Sequence, residues 1–280
     1  MEIGLALSGG GVRGIAHAGV IKALEENNIK IGYIGGTSAG SLVASLYAIG
    51  YSPDNIFTLF KRYAKIITKI DKRIIKQEIR NCLFKKEIKC MGLNDGNNFE
   101  NIYNKLAFQK GIYKINDIKM PLIIPSIDIS NSKKYVFSSV KNNFENYITD
   151  ISVGEAVRAS SSYPVIYKPF KYKDHLFLDG GILDNTPAQE IKKIGAKKVV
   201  SVRFDSNQVK NNSNLMDVAM KALDIMGDKI SEESLDESDY IITVPTDGTG
   251  LLDIEKAEFC FNSGYETTKK YIEEIKNAIY

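Results

Sequence analysis

One short stretch, Gly35-Gly36-Thr37-Ser38-Ala39-Gly40, limits what this chain can become more than any other. The apolar run Ile31 to Ile34 leads into it and a helix-like run, Ser41 to Ile49, leads out. Read as strand, tight turn and helix, it sets Ser38 at the apex. The pattern Gly36-x-Ser38-x-Gly40 suits a nucleophile elbow, a reversal so sharp that only glycine is tolerated on either side. The serine hydroxyl would then stand beyond the end of a sheet, with a helix N-terminus behind it. The competing reading is a plain helix cap, in which the Ser38 hydroxyl bonds the first free amides.

The chain around this stretch alternates strand and helix. Ile3 to Leu7 is a compact apolar run of the kind that becomes a buried parallel strand. It ends in Gly9-Gly10-Gly11-Val12-Arg13-Gly14 and is followed by a helix predicted over Ile15 to Asn27. Strand, glycine loop, helix, strand, elbow and helix in that order imply a mostly parallel α/β sheet, with chemistry at the C-terminal ends of its strands. Further strands are predicted at Pro121 to Ile129, Lys134 to Phe137, His175 to Leu178, Lys198 to Arg203 and Tyr240 to Val244. Helices are predicted at Ser152 to Ala159, at Thr186 to Ile194 and from about Leu215. A long amphipathic helix, Ile254 to Ile279, closes the chain. No repeat or linker divides it, so a single domain is expected over 1–280.

Residues 52–119 break the alternation. Ile56, Leu59, Phe60, Tyr63, Ile66, Ile67 and Ile70 recur at helical spacing, as do Ile74, Ile75 and Ile79. Lys61, Arg62, Lys65, Lys69, Lys72, Arg73 and Lys76 interleave them. This is a helical insertion within the domain. Its apolar stripe either packs on the core or forms a cap that meets lipid, as basic amphipathic helices do at an anionic interface.

Composition excludes several classes. A net charge of +3 is too slight for a nucleic-acid footprint, though it permits peripheral contact with a membrane. Cys82, Cys90 and Cys260 lack metal or redox spacing and read as reduced thiols. Met1 runs straight into a strand, without the basic and apolar regions of a signal peptide. No run approaches the roughly 18 apolar residues of a membrane span. A cytoplasmic protein is expected, with export by a route that ignores signal peptides left open.

The first loop also fits Gly-x-Gly-x-x-Gly between a strand and a helix, the dinucleotide fingerprint. A nucleotide-binding oxidoreductase would carry an acidic residue at the end of the second strand, and here that strand ends in Gly35-Gly36-Thr37-Ser38. No Lys-Ser or Lys-Thr closes the glycines as a P-loop requires. The alternative use is an oxyanion hole, in which bare amides meet a developing negative charge, each donor worth roughly 3 kcal/mol of barrier. Gly10 and Gly11 are the favoured donors, with Arg13 adding positive field or fixing the loop.

A serine nucleophile needs a base. His17 sits one turn into the first helix and reads as a buttress of the glycine loop. His175 stands four residues before Asp179, at the wrong end of its strand. Asp179 ends that strand and precedes Gly180-Gly181, which permit a sharp turn. A carboxylate of pKa about 3.9 is a poor base. It can serve when it bonds the serine directly and apolar surroundings raise its proton affinity.

Taken together, Gly9-Gly10-Gly11-Val12-Arg13-Gly14, Gly36-Thr37-Ser38-Ala39-Gly40 and Asp179-Gly180-Gly181 resemble the motifs of the patatin-like phospholipase family. The resemblance extends to His17-Ala18-Gly19, to Ala159-Ser160 through Pro164 and to Asp184-Asn185-Thr186-Pro187, covering most of residues 3 to 205. The third motif is Asp-Gly-Gly where Asp-Gly-Ala also occurs in the family. The resemblance implies a three-layer α/β/α fold and a Ser-Asp dyad lipid acyl hydrolase, with Ser38 as nucleophile and Asp179 as base. Gly9, Gly10, Gly11, Arg13 and Gly14 would form the oxyanion hole. The implied substrate is a lipid ester, a phospholipid or lysophospholipid, and no cofactor or metal is called for. A catalytically silent lipid-binding module on the same fold is the alternative.

Overall fold

A computed structural model describes residues 2–67, 91–205 and 215–280, with positions 76, 80, 81 and 84 between them. Ile70, Ile74, Ile75, Ile79, Cys82 and Cys90 lie outside the described residues. So do Lys69, Lys72 and Arg73 of the predicted basic helices.

The first strand, β1 (Glu2–Leu7), shows how the layers arise. Side chains alternate faces along a strand. Ile3, Leu5 and Leu7 therefore enter the larger of two core clusters, while Ala6 joins the smaller one on the opposite face. The larger cluster packs under helices α1 (Ala16–Glu26), α2 (Ala39–Ala48), α3 (Pro53–Ile67), α4 (Asn97–Phe108) and α5 (Val153–Ser160). The smaller lies beneath α6 (Ala188–Lys193), whose Ala188 and Ile191 are fully buried. The result is helix, sheet, helix.

Among the described residues the sheet has nine strands. Seven run in the order β5 (Tyr147–Ile148), β4 (Lys133–Ser138), β3 (Leu122–Asp128), β2 (Lys30–Gly36), β1, β8 (Val199–Phe204), β9 (Tyr240–Val244). The pairs β1–β2, β2–β3, β1–β8, β8–β9 and β4–β5 are parallel. The remaining two strands, β6 (Phe170–Tyr172) and β7 (His175–Asp179), pair antiparallel with each other, and β7 also pairs antiparallel with β3.

That last pairing positions the site. β4 occupies one edge of β3 along its length. On the other edge, β2 pairs only at Leu122 and Ile123, and β7 takes over from Ser126 to Asp128. The strand that ends at Gly36 and the strand that ends at Asp179 thus approach each other end to end along one edge of β3.

Two predicted elements differ from expectation. The closing helix is interrupted. A 3-10 turn (Ile254–Lys256) leads into α9 (Ala257–Lys270), and a break at Tyr271 precedes α10 (Ile272–Ile279). Both halves pack on β9, and α9 packs on α1 as well. The first helix is likewise preceded by a separate 3-10 turn, Gly11–Ile15, which carries the glycine loop. Helices α7 (Leu215–Ile230) and α8 (Glu232–Leu235) complete the chain.

Helices α3 and α4 are built into the main core through Ile56, Phe99, Tyr103 and Leu106. Their attachment depends on a buried cation. Arg158 of α5 is 2% exposed and donates from Nε and Nη2 to the Asp95 carbonyl at 3.1 and 2.7 Å. Nη2 also reaches the Lys168 carbonyl at 2.6 Å, and Nη1 the Ser162 hydroxyl at 2.6 Å. Burial lowers its pKa to about 10. Charge-assisted bonds to carbonyls offset the desolvation of the guanidinium. Arg158→Ala would remove these charge-assisted bonds and leave a cavity where the side chain packs, and we expect it to cost about 3 kcal/mol in urea unfolding at neutral pH. Unchanged stability would contradict this account.

Candidate active site

The elbow forms because its glycines allow two backbones to touch. A Cβ on Gly36 would lie 2.3 Å from the Gly40 carbonyl carbon, and one on Gly40 would lie 2.3 Å from the Leu7 carbonyl oxygen. Between them Ser38 is held at φ 52°, ψ −121°, a left-handed conformation that costs a non-glycine residue on the order of 1–3 kcal/mol. Ser38 is the residue before α2, yet its side chain makes no cap hydrogen bond. The cap reading of this stretch therefore fails, and the hydroxyl is left to face the cleft that Ser38 lines.

Asp179 ends β7 and is 2% exposed. Its Oδ1 accepts from the Gly181 amide at 2.8 Å, which closes the turn after the strand. Gly180 fits because no side chain stands where a Cβ would come within 2.4 Å of the Pro125 carbonyl oxygen.

One short segment holds both residues. Ser160, the last residue of α5, accepts the Ser38 amide on its hydroxyl at 3.1 Å. Two residues on, the Ser162 carbonyl accepts the Asp179 amide at 3.1 Å. A second set of ties joins the elbow to the turn after β7. The Thr37 hydroxyl donates to the Asp184 carbonyl at 2.8 Å, and the Gly9 amide is shared between Oδ1 and the carbonyl of Asn185, at 3.0 and 3.1 Å. Sequence reasoning gave Ser160, Ser162, Thr37 and Asn185 no roles, although all four lie in motifs it singled out. Only their partners give them meaning, and for Ser160, Thr37 and Asn185 these lie more than a hundred residues away in sequence.

The glycine loop divides accordingly. Gly9 is a fastening point, its amide taken up by Asn185. Gly14 packs on Ala39 of the elbow. No hydrogen bond among the described residues takes up the amides of Gly10 and Gly11, and both line the cleft. Arg13 Nε donates to the Gly10 carbonyl at 3.0 Å, and its guanidinium lies 5.6 Å from the Phe204 ring centre. Across a trans peptide the carbonyl and the next N–H point opposite ways, so Arg13 turns the Gly11 amide away from itself. Of the two roles read for Arg13, fixing the loop is the one its contacts describe.

Neither histidine meets Ser38. His17 is fully buried, with Nε2 on the Ser8 carbonyl at 2.8 Å and its ring 4.9 Å from that of Phe204. Burial lowers its pKa to about 4, against a weaker raising influence from the Ser8 bond. The ring is neutral and props the start of the glycine loop. His175 Nδ1 pairs with Asp128 Oδ2 at 2.8 Å, at the other end of β7 from Asp179.

Beneath the turn lies a buried charge cluster. Lys134 Nζ bridges Asp184 Oδ2 and Glu190 Oε1, each at 2.7 Å, and Tyr147 donates to Glu190. Burial is the largest influence on Asp184 and pushes its carboxyl up, with Lys134 opposing. For Glu190, Lys134, Tyr147 and Lys193 outweigh burial and hold the carboxyl below its ordinary range.

Ser38, Asp179, Gly10 and Gly11 open onto one cleft of about 610 Å³. That volume falls within the range typical of small-molecule sites. Apolar side chains in its lining include Leu42 and Leu46 of α2, Ile56, Phe60 and Tyr63 of α3, and Tyr103 of α4. The stripe of α3 therefore faces the cleft as well as the core. Charged side chains in the lining include Arg203, Asp205, Lys221, Asp228 and Lys229. Among the described residues there is no cluster of three potential metal ligands and no helix long and apolar enough to cross a membrane.

An α/β sheet with a serine elbow and a glycine loop at its strand ends defines a class, and comparison with known proteins places the chain within it. Residues 5–191 match the family model described as Patatin-like phospholipase. The chain is 32% identical over 211 residues to a protein named Lysophospholipase NTE1 from Debaryomyces hansenii, covering 73% of this chain and 12% of that one. The same-named protein of Lodderomyces elongisporus is 27% identical over 308 residues, covering 98% of this chain and 19% of that one. The chain thus spans less than a fifth of these two relatives' length. Among solved structures it resembles VipD from Legionella pneumophila, with a TM-score of 0.54, 17% identity, and 98% and 67% of the two chains covered. ExoU in complex with SpcU, from Pseudomonas aeruginosa, gives a TM-score of 0.52 at 17% identity, with 98% and 51% covered. The chain belongs to the patatin-like phospholipase family.

His17 generates a pH prediction. Its folded pKa lies below the ordinary 6.5, so the unfolded chain binds the extra proton first as pH falls. The stability this neutral ring contributes is present above pH 6.5 and drains away between pH 6.5 and about 4. We expect wild type to lose about 2 kcal/mol from this group between pH 7 and pH 5, and His17→Gln to lack that component. Equal pH slopes in urea unfolding would contradict it.

Proposed function

We propose that this chain hydrolyses carboxylic esters of lipids, with Ser38 as nucleophile and Asp179 as general base. The observation that carries the proposal is the strained elbow serine, free of any capping role, sharing a cleft with a buried carboxylate that the same segment clamps. Ser38 Oγ attacks the ester carbonyl carbon and passes its proton to Asp179. The amides of Gly10 and Gly11 receive the oxyanion, a form of stabilisation that acts only as charge develops. The tetrahedral intermediate collapses, the C–O bond to the alcohol breaks, and the protonated Asp179 gives its proton to that leaving oxygen. Water then attacks the acyl-enzyme, Asp179 takes its proton, and expulsion of the fatty acid returns the proton to Ser38 Oγ.

The cleft suggests how a substrate lies. The apolar lining from α2, α3 and α4 receives the acyl chain. The charged lining, which mixes Arg203, Lys221 and Lys229 with Asp205 and Asp228, suits a headgroup that carries both signs of charge. A lipid with one chain is the substrate class favoured by the name lysophospholipase that the relatives carry.

The test is a panel of purified lipids. Hydrolysis of monoacyl phospholipid should exceed that of the diacyl form in kcat/KM. Ser38→Ala and Asp179→Asn should each reduce it by about 10³-fold or more, as removal of a nucleophile or its base does elsewhere. A wild-type rate in Asp179→Asn would remove the base from the mechanism. A preference for diacyl lipid would overturn the assignment of substrate class.

A further inference from the structure

Helix α7 lies over the turn that carries Asp179, and it leaves a row of apolar side chains exposed. Gly227 faces inward. A Cβ there would come within 2.2 Å of the Gly181 carbonyl oxygen, so the helix backbone rests directly on the turn. Neighbouring bonds fix this mounting: Asn185 Nδ2 donates to Asp228 Oδ1 at 2.8 Å, the Asn185 amide to the Ser231 hydroxyl at 2.6 Å, and that hydroxyl to the Gly227 carbonyl at 2.7 Å.

At about 100° per residue, Val218, Ala222 and Ile225 lie on the side of α7 opposite Gly227, Met226 lies on its flank, and Ile230 lies nearer the side of Gly227. All five are exposed, Val218 at 49%, Ile225 at 57% and Met226 at 59%. A surface helix ordinarily turns its apolar stripe to the core and its polar side to water. An exposed apolar patch rimmed by polar residues marks a surface that meets something apolar.

Position and charge identify the occupant. Ile225 lines the cleft as well as the patch, and so does Leu252, which is 43% exposed on the loop after β9. The patch therefore runs into the cleft mouth. The charges at its rim are of both signs, Lys229 pairing with Glu232 at 2.5 Å and both Lys221 and Asp228 lining the cleft. That mixture offers no electrostatic handle for a strongly charged protein partner.

We propose that the outward face of α7, through Val218, Ala222, Ile225 and Met226, is the surface by which this chain lies on a phospholipid membrane, with the cleft mouth turned to the lipid. The inference rests on the lipid-ester reading of the cleft. Apolar insertion drives the binding, so lipid charge and salt matter little.

The test is co-sedimentation of the full chain carrying Ser38→Ala with vesicles of phosphatidylcholine, alone or mixed with phosphatidylglycerol. Binding to both kinds, with little dependence on salt, is expected. Val218→Glu with Met226→Glu touches neither the cleft lining nor the core. It should weaken binding to both by about tenfold or more, given the apolar burial it removes. In the Ser38 background, hydrolysis of a water-soluble short-chain ester should be unchanged while that of vesicle lipid falls. Unaltered vesicle binding by the double variant overturns the proposal. So does parent protein that stays unbound while hydrolysing the short ester, or a dimer in light scattering that the two substitutions split. Binding through α7 in a protein that hydrolyses no ester would support this surface and remove only the hydrolase reading.

Discussion

The edge of β3 shared between β2 and β7 is the constraint on which the rest depends. A strand has two edges, and β4 fills one of them completely. On the other, β2 stops pairing at Ile123 because the chain turns at Gly36, and β7 begins at Ser126. Backbone hydrogen bonds in a buried sheet are costly to leave unmade, so the edge vacated by one strand must be filled by another. Filling it antiparallel brings the C-terminal end of β7 toward the C-terminal end of β2. Ser38 and Asp179, far apart in sequence, line one cleft for that reason.

Such an arrangement concentrates polar groups at the centre of the molecule, and the fold spends much of its hydrogen bonding on them. Ser160 and Ser162 hold the two amides, while Thr37 and Asn185 tie elbow to turn. Lys134 supports Asp184 and Glu190 below. Arg158 links this segment to the loop before α4, since one of its nitrogens bonds Ser162 and two bond Asp95. The cleft-lining helices and the turn carrying Asp179 are therefore fastened through one guanidinium. Removing a partner from such a network costs more than an average hydrogen bond because the remaining groups stay buried.

Much of the fold was legible because its signals are local. Ile3 to Leu7, Ile31 to Ile34 and Lys198 to Arg203 are short apolar runs bounded by turn residues, and each became a strand. The elbow was legible from its spaced glycines, whose crowding against Leu7 explains the pattern. The roles of Ser160, Asn185 and Arg158 were not, because a serine or arginine reads the same whether it faces water or clamps a distant loop. The break at Tyr271 was not legible because the apolar period continues across it. Helix α7 shows the same limit. Its sequence spreads apolar residues around the helix, and only Gly227 against Gly181 says which side faces in.

The central claim is that the Ser38 hydroxyl is activated by Asp179 within this cleft. Intact-mass analysis after reaction with a serine-directed fluorophosphonate tests it most directly, because the reagent reports the nucleophile without assuming a substrate. The account predicts one adduct on the wild-type chain, mapped to the peptide that contains Ser38, absent from Ser38→Ala and formed much more slowly by Asp179→Asn. An adduct that persists in Ser38→Ala, or a wild-type chain that stays unlabelled with lipid vesicles present, would contradict it.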